Sequence, residues 1–180
     1  MLANIGTRDV VRDMDIMRSA LGDAKLTYLG YSYGTRIGTA YAETFPGNVR
    51  AMVLDGAFDP AENQTSLVIE QGRGLQQAFD AFAAWCAGRA NCFFGQDKSQ
   101  AVKIFHDRVL RLIDHPVTVS DGRKLSYTDA AAGVIQAFYL PDYWPMLNQG
   151  VQELAEDDGD TLMHLADTYY ERSTDDTYST

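Results

Sequence analysis

The strongest constraint in this sequence is a serine flanked by glycines at the junction of two stretches with different periodicity. Lys25-Leu26-Thr27-Tyr28-Leu29-Gly30 is a short β-prone run, whereas from Thr35 to Phe45 the pattern is helical and is stopped by Pro46-Gly47. Between them stands Gly30-Tyr31-Ser32-Tyr33-Gly34. A strand that passes directly into a helix bends so tightly that the backbone at its corner is strained. The residues two before and two after the corner must lack a side chain if strand and helix are to approach. Gly30 and Gly34 meet that need. Gly38 and Ala42 follow Gly34 at steps of four and lay a smooth ridge along one helix face, with Ile37 and Tyr41 expected to fill space beside it.

The flanking pattern extends this unit. Val10, Met14, Met17 and Leu21 recur at helical spacing and predict a helix over about Thr7 to Leu21, with Thr7 as N-cap, Asp9 in the first turn and Gly22 ending it. Val49 to Leu54 is a near-continuous apolar run before Asp55-Gly56, the pattern of a strand covered on both faces. Helix, strand, helix, strand is the rhythm of a parallel α/β sheet. Two strands do not make a stable covered sheet, so further strands are expected from outside this chain. After Asp59-Pro60 the character turns helical. Stripes run through Leu75, Phe79, Phe82 and Cys86 and through Val102, Phe105, Val109 and Leu112. A small hairpin with an Asp121-Gly122 turn follows, then helices near 129–139, 143–154 and 161–170. The expected organisation is a partial α/β core over 1–60, a helical unit over 61–172 and a flexible polar tail over 173–180.

Composition narrows the function. The 180 residues carry 25 acidic and 15 basic side chains, a formal charge of -10, with 46% hydrophobic residues. Such a chain has ample material for a core, and its field repels phosphates, which argues against nucleic acid as a partner. No apolar run approaches the roughly 20 residues that span a bilayer, and the N-terminus from Met1 to Ile5 has no signal-peptide pattern. Neither a Gly-Lys-Ser/Thr phosphate loop nor G-x-G-x-x-G is present around Gly30, and no cofactor or metal is expected.

The G-x-S-x-G pattern in its strand-turn-helix setting is the signature of a nucleophile elbow. A serine hydroxyl attacks only when a base takes its proton, and the oxyanion that develops on the substrate needs waiting N–H donors. Ser32, at a helix N-terminus, has free N–H groups and the positive end of the helix dipole beside it, with the Tyr33 N–H as the expected donor. The plain alternative is a Gly-rich βα turn without catalysis.

Two stretches, Leu26 to Thr35 and Phe45-Pro46-Gly47-Asn48-Val49-Arg50-Ala51-Met52-Val53-Leu54-Asp55-Gly56, resemble the α/β-hydrolase exopeptidases of actinobacteria, the tripeptidyl and prolyl aminopeptidase-like serine hydrolases. The likeness continues more weakly through Trp85-Cys86 to Cys92 and Tyr127-Thr128-Asp129-Ala130. It implies Ser32 as nucleophile, a helical cap after Asp59, peptide or small ester substrates and an extracellular or envelope location. In that fold the acid and then the histidine follow the cap. The resemblance therefore reads this chain as an internal piece of a longer hydrolase, with carboxylesterase action or an inert truncated product with a binding cap as alternatives.

Other candidates are weaker. His106, His115 and His164 read as surface or capping residues, although His164 with Asp142 is a conceivable base and acid. Asp55 and Asp59 follow the strand after the elbow, where an acid could stand, but turn duty is the simpler reading. Cys86 and Cys92 bracket a short loop and leave open a disulfide or two free thiols. Trp85, Tyr139, Tyr143 and Trp144 could line an apolar slot or simply pack. The acidic group Glu153, Glu156, Asp157, Asp158 and Asp160 reads as a solvated helix end, though an aminopeptidase needs one carboxylate for its substrate's ammonium.

Overall fold

The computed structural model describes residues 5–57, 59–173 and 177–178. Its elements are α1 (Thr7–Ala20), β1 (Leu26–Tyr31), α2 (Tyr33–Thr44), β2 (Val49–Asp55), α3 (Gln64–Ala87), α4 (Ala101–Leu110), β3 (Val117–Thr118), β4 (Lys124–Leu125), α5 (Tyr127–Tyr139), α6 (Trp144–Glu153) and α7 (Asp160–Tyr170). The chain divides into two compact units, Met1–Val68 and Ile69–Thr180, and the division falls inside α3. The stretch read for a signal peptide, 1–4, and much of the expected tail, 174–176 and 179–180, lie outside the described residues. Tyr178 of that tail forms an antiparallel bridge with Arg172, the last residue of the expected helical unit. No helix of the described residues is long and apolar enough to cross a membrane.

In the first unit β1 and β2 pair in parallel, with Gly30 opposite Leu54 and Tyr31 opposite Asp55. Helix α2 lies on one face of this pair, where Tyr28 and Leu54 press against Gly38. The other face is not covered as the apolar run of β2 suggested: Leu29 and Val53 are 55% and 61% exposed. Both strands alternate in exposure, because a two-stranded sheet under one helix has only one interior.

Helix α1 departs from its expected stripe. Val11 is buried, while Met17 and Leu21 are exposed. Polar contacts set this face: Asp15 Oδ1 accepts from Arg18 Nε (2.8 Å), Tyr41 Oη (2.8 Å) and Asn48 Nδ2 (2.9 Å). Turning Val11, Asp15 and Arg18 inward satisfies Tyr41, which is fully buried on α2 and would otherwise hold an unpaired hydroxyl. The N-cap is Gly6 and not Thr7, whose Oγ1 instead meets Tyr33 Oη at 2.6 Å. Gly22, at φ 79°, closes the helix as expected, with its N–H on Ser19 O and that of Asp23 on Arg18 O.

The second unit is helical, with a core built from α3 to α7 and the loop after α3, and α5, α6 and α7 pack closely within it. A Cβ on Gly133 would lie 2.7 Å from Leu162 O, and one on Gly150 would lie 2.8 Å from Leu162 Cγ, so these helices meet almost backbone to backbone. Ser126 and Asp129 form a capping box at the start of α5. The β3–β4 hairpin turns at Gly122, φ 90°. Its Arg123 grips Asp167 of α7 through both guanidinium nitrogens (2.9 and 2.7 Å), and Arg172 joins Asp167 (2.7 Å) to Asp129 (3.2 Å). Burial would raise the Asp167 carboxyl, but the two arginines outweigh it and hold it below its ordinary value. Cys86 and Cys92 are joined by a disulfide. The buried Asn148 pins its loop, accepting from Phe93 N (2.8 Å) and donating to Asn91 O (2.9 Å).

The Asp15 cluster gives the first unit a specific acid sensitivity. Hydrogen bonds from Arg18 and then Tyr41 hold its carboxyl at about 2, below the ordinary 3.8. A depressed carboxyl stabilises the fold above its unfolded value, and that stabilisation is lost as pH falls through the folded one. Hydrogen exchange of the α2 amides should show the natural chain better protected than Asp15→Asn at pH 6. The gap should narrow between about pH 4 and pH 2, whereas equal protection at both pH values would contradict this assignment.

Candidate active site

The corner between β1 and α2 is the most constrained point of the backbone. Ser32 adopts φ 49°, ψ -118°, a positive φ in a residue with a β-carbon. Such a conformation costs about 1–3 kcal/mol and persists only where the surroundings over-determine it. Here they do so from both sides. The Ser32 N–H donates to Asp55 O (3.0 Å), continuing the β1–β2 register, and its carbonyl accepts from Thr35 N (2.9 Å) and Thr35 Oγ1 (2.7 Å).

The close approach that imposes the corner depends on missing side chains. A Cβ on Gly30 would stand 2.7 Å from the Gly34 carbonyl oxygen and 2.7 Å from the Tyr28 ring. Gly34 is the next constraint, since its Cβ would lie 3.3 Å from Tyr28 Oη. Tyr28 occupies this space: its hydroxyl donates to Gly34 O (2.8 Å) and its ring rests in the notch of Gly38. The ridge of small residues is therefore filled by Tyr28 and Leu54 from the sheet. Tyr41, expected to pack beside the ridge, faces the Asp15 cluster. Sequence reasoning passed over Tyr28, although an aromatic residue two before Gly30 on a strand shares its face, and that period was the available signal.

Ser32 is exposed, and its side chain does not cap α2 although it holds the N-cap position. The hydroxyl is thus left for other partners. Tyr33, the first residue of α2, has an N–H with no carbonyl one turn back to receive it, so an N–H donor lies next to the serine at the positive end of the helix. The Tyr33 phenol is tethered to Thr7 of α1. The arrangement joins an exposed hydroxyl, an available N–H donor and a rigid frame, which are parts of what attack on an acyl carbon needs; the base that must take the proton is not among them.

The other expected candidates are dispersed. His106, His115 and His164 are all exposed, and among the described residues none of their side chains forms a hydrogen bond, including one between His164 and Asp142. Asp59 Oδ1 accepts from Ala61 N (2.9 Å), a turn contact, and Asp55 contributes its carbonyl to Ser32. Trp85 and Trp144 do not line a slot, because they pack on each other at 5.8 Å and on Phe82, while Tyr139 borders a separate hollow. The acidic group near α6 and α7 is largely engaged. Glu153 accepts from Gln149, Asp157 pairs with Arg111, Asp158 accepts from Asp160 N, and Asp160 accepts from Ser120 N. Among the described residues, no group of three or more His, Cys, Asp or Glu could hold a metal ion.

A family model described as alpha/beta hydrolase fold matches residues 3–167. The chain is 48% identical over 185 residues to "Serine protease Hip1" of Mycobacterium tuberculosis, covering 99% of this chain and 36% of that protein. It is 50% identical over 180 residues to "Carboxylesterase B" of the same species, covering 99% and 34%. A shorter match, 45% over 64 residues, covers 36% of the chain and 12% of "Tripeptidyl aminopeptidase" of Streptomyces lividans. The chain thus spans about a third of the length of the two mycobacterial proteins.

The corner is open to a steric test. Gly30→Ala pushes a methyl group into the Gly34 carbonyl and should cost about 1–3 kcal/mol in the opening free energy of α2, read by native-state hydrogen exchange. Gly47→Ala, whose new Cβ meets nothing within 4 Å, is the control and should be neutral or slightly stabilising. Equal effects of the two substitutions would remove the close-approach argument.

Proposed function

From the premise that this chain belongs to the alpha/beta hydrolase fold family, we propose that it carries the nucleophile of a serine hydrolase that releases short peptides or residues from the N-terminus of peptide substrates. Ser32 Oγ attacks the carbonyl carbon of the scissile bond as a base takes its proton. The Tyr33 N–H and the α2 dipole stabilise the oxyanion. The carbon–nitrogen bond then breaks as the base returns the proton to the leaving amine. Water hydrolyses the remaining acyl ester and frees Ser32.

One observation carries this reading: Ser32 is held at φ 49° with its side chain exposed and uncommitted at a helix N-terminus. Among the described residues none of the three histidines is joined to a carboxylate, which supports placing the base and its acid outside these 180 residues and reading the chain alone as inactive. The helical unit is read as the cap. The Cys86–Cys92 disulfide supports an oxidising, extracellular or envelope setting. A second reading, carboxylesterase action, is favoured by the 50% identity to the mycobacterial carboxylesterase, since the same acyl-enzyme serves esters.

A fluorophosphonate probe separates these claims. The 180-residue chain should label slowly or not at all, and a version extended to the length of its relatives should label rapidly, with labelling abolished by Ser32→Ala. Rapid labelling of the short chain would bring the base inside it, and labelling that survives Ser32→Ala would remove the nucleophile assignment. With the extended protein, a free-amine tripeptide anilide should be cleaved faster than its N-acetylated twin. Equal rates would favour the esterase reading.

A further inference from the structure

Thr35, in the first turn of α2, is buried, and its hydroxyl donates to the Ser32 carbonyl at 2.7 Å. The backbone N–H of the same residue donates to the same oxygen at 2.9 Å. Threonines on helices commonly satisfy their hydroxyls on an earlier carbonyl, and two others on α2 do so: Thr39 bonds Thr35 O and Thr44 bonds Ala40 O, each four residues back within the regular helix. Thr35 differs in its target. Its carbonyl belongs to Ser32, which stands before the helix at φ 49°, ψ -118°.

That target matters because a peptide group is planar. The Ser32 carbonyl and the Tyr33 N–H belong to one rigid trans unit and point in opposite directions. The bond that turns this unit relative to the Ser32 side chain is the Ser32 Cα–C bond, whose angle is ψ. Two hydrogen bonds on the carbonyl therefore fix the direction of the N–H relative to the nucleophile, and a site of this kind works only when its groups are held to within about 0.5 Å. An amide whose oxygen accepts hydrogen bonds also becomes a stronger N–H donor through mutual polarisation.

We propose that Thr35 is a positioning residue whose hydroxyl, bonded to the Ser32 carbonyl, sets the aim of the Tyr33 N–H at the substrate oxyanion. The inference rests on the reading of Ser32 as nucleophile and of the Tyr33 N–H as donor. Thr35 is itself buried and acts through the peptide between those two residues. Its methyl group fills space at the corner, but the hydroxyl carries the effect, so serine in its place keeps the function and valine, of the same shape, loses it.

The test uses the protein extended to the length of its relatives, a fluorophosphonate, and an alkyl trifluoromethyl ketone. The ketone adds reversibly to a serine hydroxyl and places a charged oxygen where the oxyanion forms, whereas the matching trifluoromethyl alcohol forms no such oxygen. Thr35→Val and Thr35→Ala should each slow labelling and weaken the ketone about tenfold, a fraction of the roughly 10²–10³-fold that loss of a whole donor costs. Affinity for the alcohol should stay within about twofold, because only contacts made to the oxyanion are impaired. Thr35→Ser should remain within about threefold of the natural protein in every assay, and so should Thr44→Val, which removes a hydroxyl from the far end of α2. The proposal is overturned if both hydroxyl-free variants leave the ketone unchanged or if Thr35→Ser falls as far as they do. It is also overturned if the alcohol weakens as much as the ketone, or if neither hydroxyl-free variant folds, since Thr35 would then serve the fold. In all these cases Ser32→Ala still abolishes labelling. Labelling that survives Ser32→Ala removes the nucleophile reading and this inference with it.

Discussion

The close approach of α2 to β1 is the constraint on which the first unit depends. Helix and strand can touch only where Gly30, Gly34 and Gly38 leave no β-carbon, and Tyr28 then locks the contact through its ring and its hydroxyl. The corner between them has no room for an ordinary backbone, so Ser32 takes a positive φ. Its exposure follows from that conformation, and the free N–H groups beside it follow from the helix starting there. Strain, exposure and electrostatics at one residue thus have a single steric origin.

Polar clusters set the geometry around that contact. In the first unit Asp15 gathers Arg18, Tyr41 and Asn48, tying α1, α2 and the start of β2 to one carboxylate oxygen. In the second, Asp167 is gripped by Arg123 and Arg172, which joins the hairpin to α7 and to the start of α5. Removing one member of such a cluster leaves a charge or donor without its partner, which costs more than the intact contact contributes.

Much of the fold was legible because it is local. Helical spacing marked α1, α4, α5, α6, α7 and the second half of α3, and the glycine spacing around Ser32 carried the strand-turn-helix corner. What escaped was non-local. The inward face of α1 followed Asp15 and not its apolar stripe, because Tyr41 and Asn48 lie far along the chain and their demand for a partner leaves no local trace. Tyr28 looked like any β-forming residue until the glycines opposite it were placed in space. Spacing alone allowed Cys86 and Cys92 either state, and nothing local in the sequence singles out Asn148, which pins their loop. The apolar face of β1 and β2, with Val53 exposed, finds no cover among the described residues, and the sequence predicts that cover outside this chain.

The exposed hydroxyl at the β1–α2 corner depends on position 32 being a strained turn and not part of a regular helix. Comparing Ser32→Gly with Ser32→Ala tests it by sign. Glycine adopts positive φ without steric cost, so the opening free energy of α2 should be higher in the glycine variant by about 1 kcal/mol or more. If position 32 were ordinary helix, glycine would be the worse residue by about 1 kcal/mol, and an alanine variant more stable than the glycine one would contradict the account.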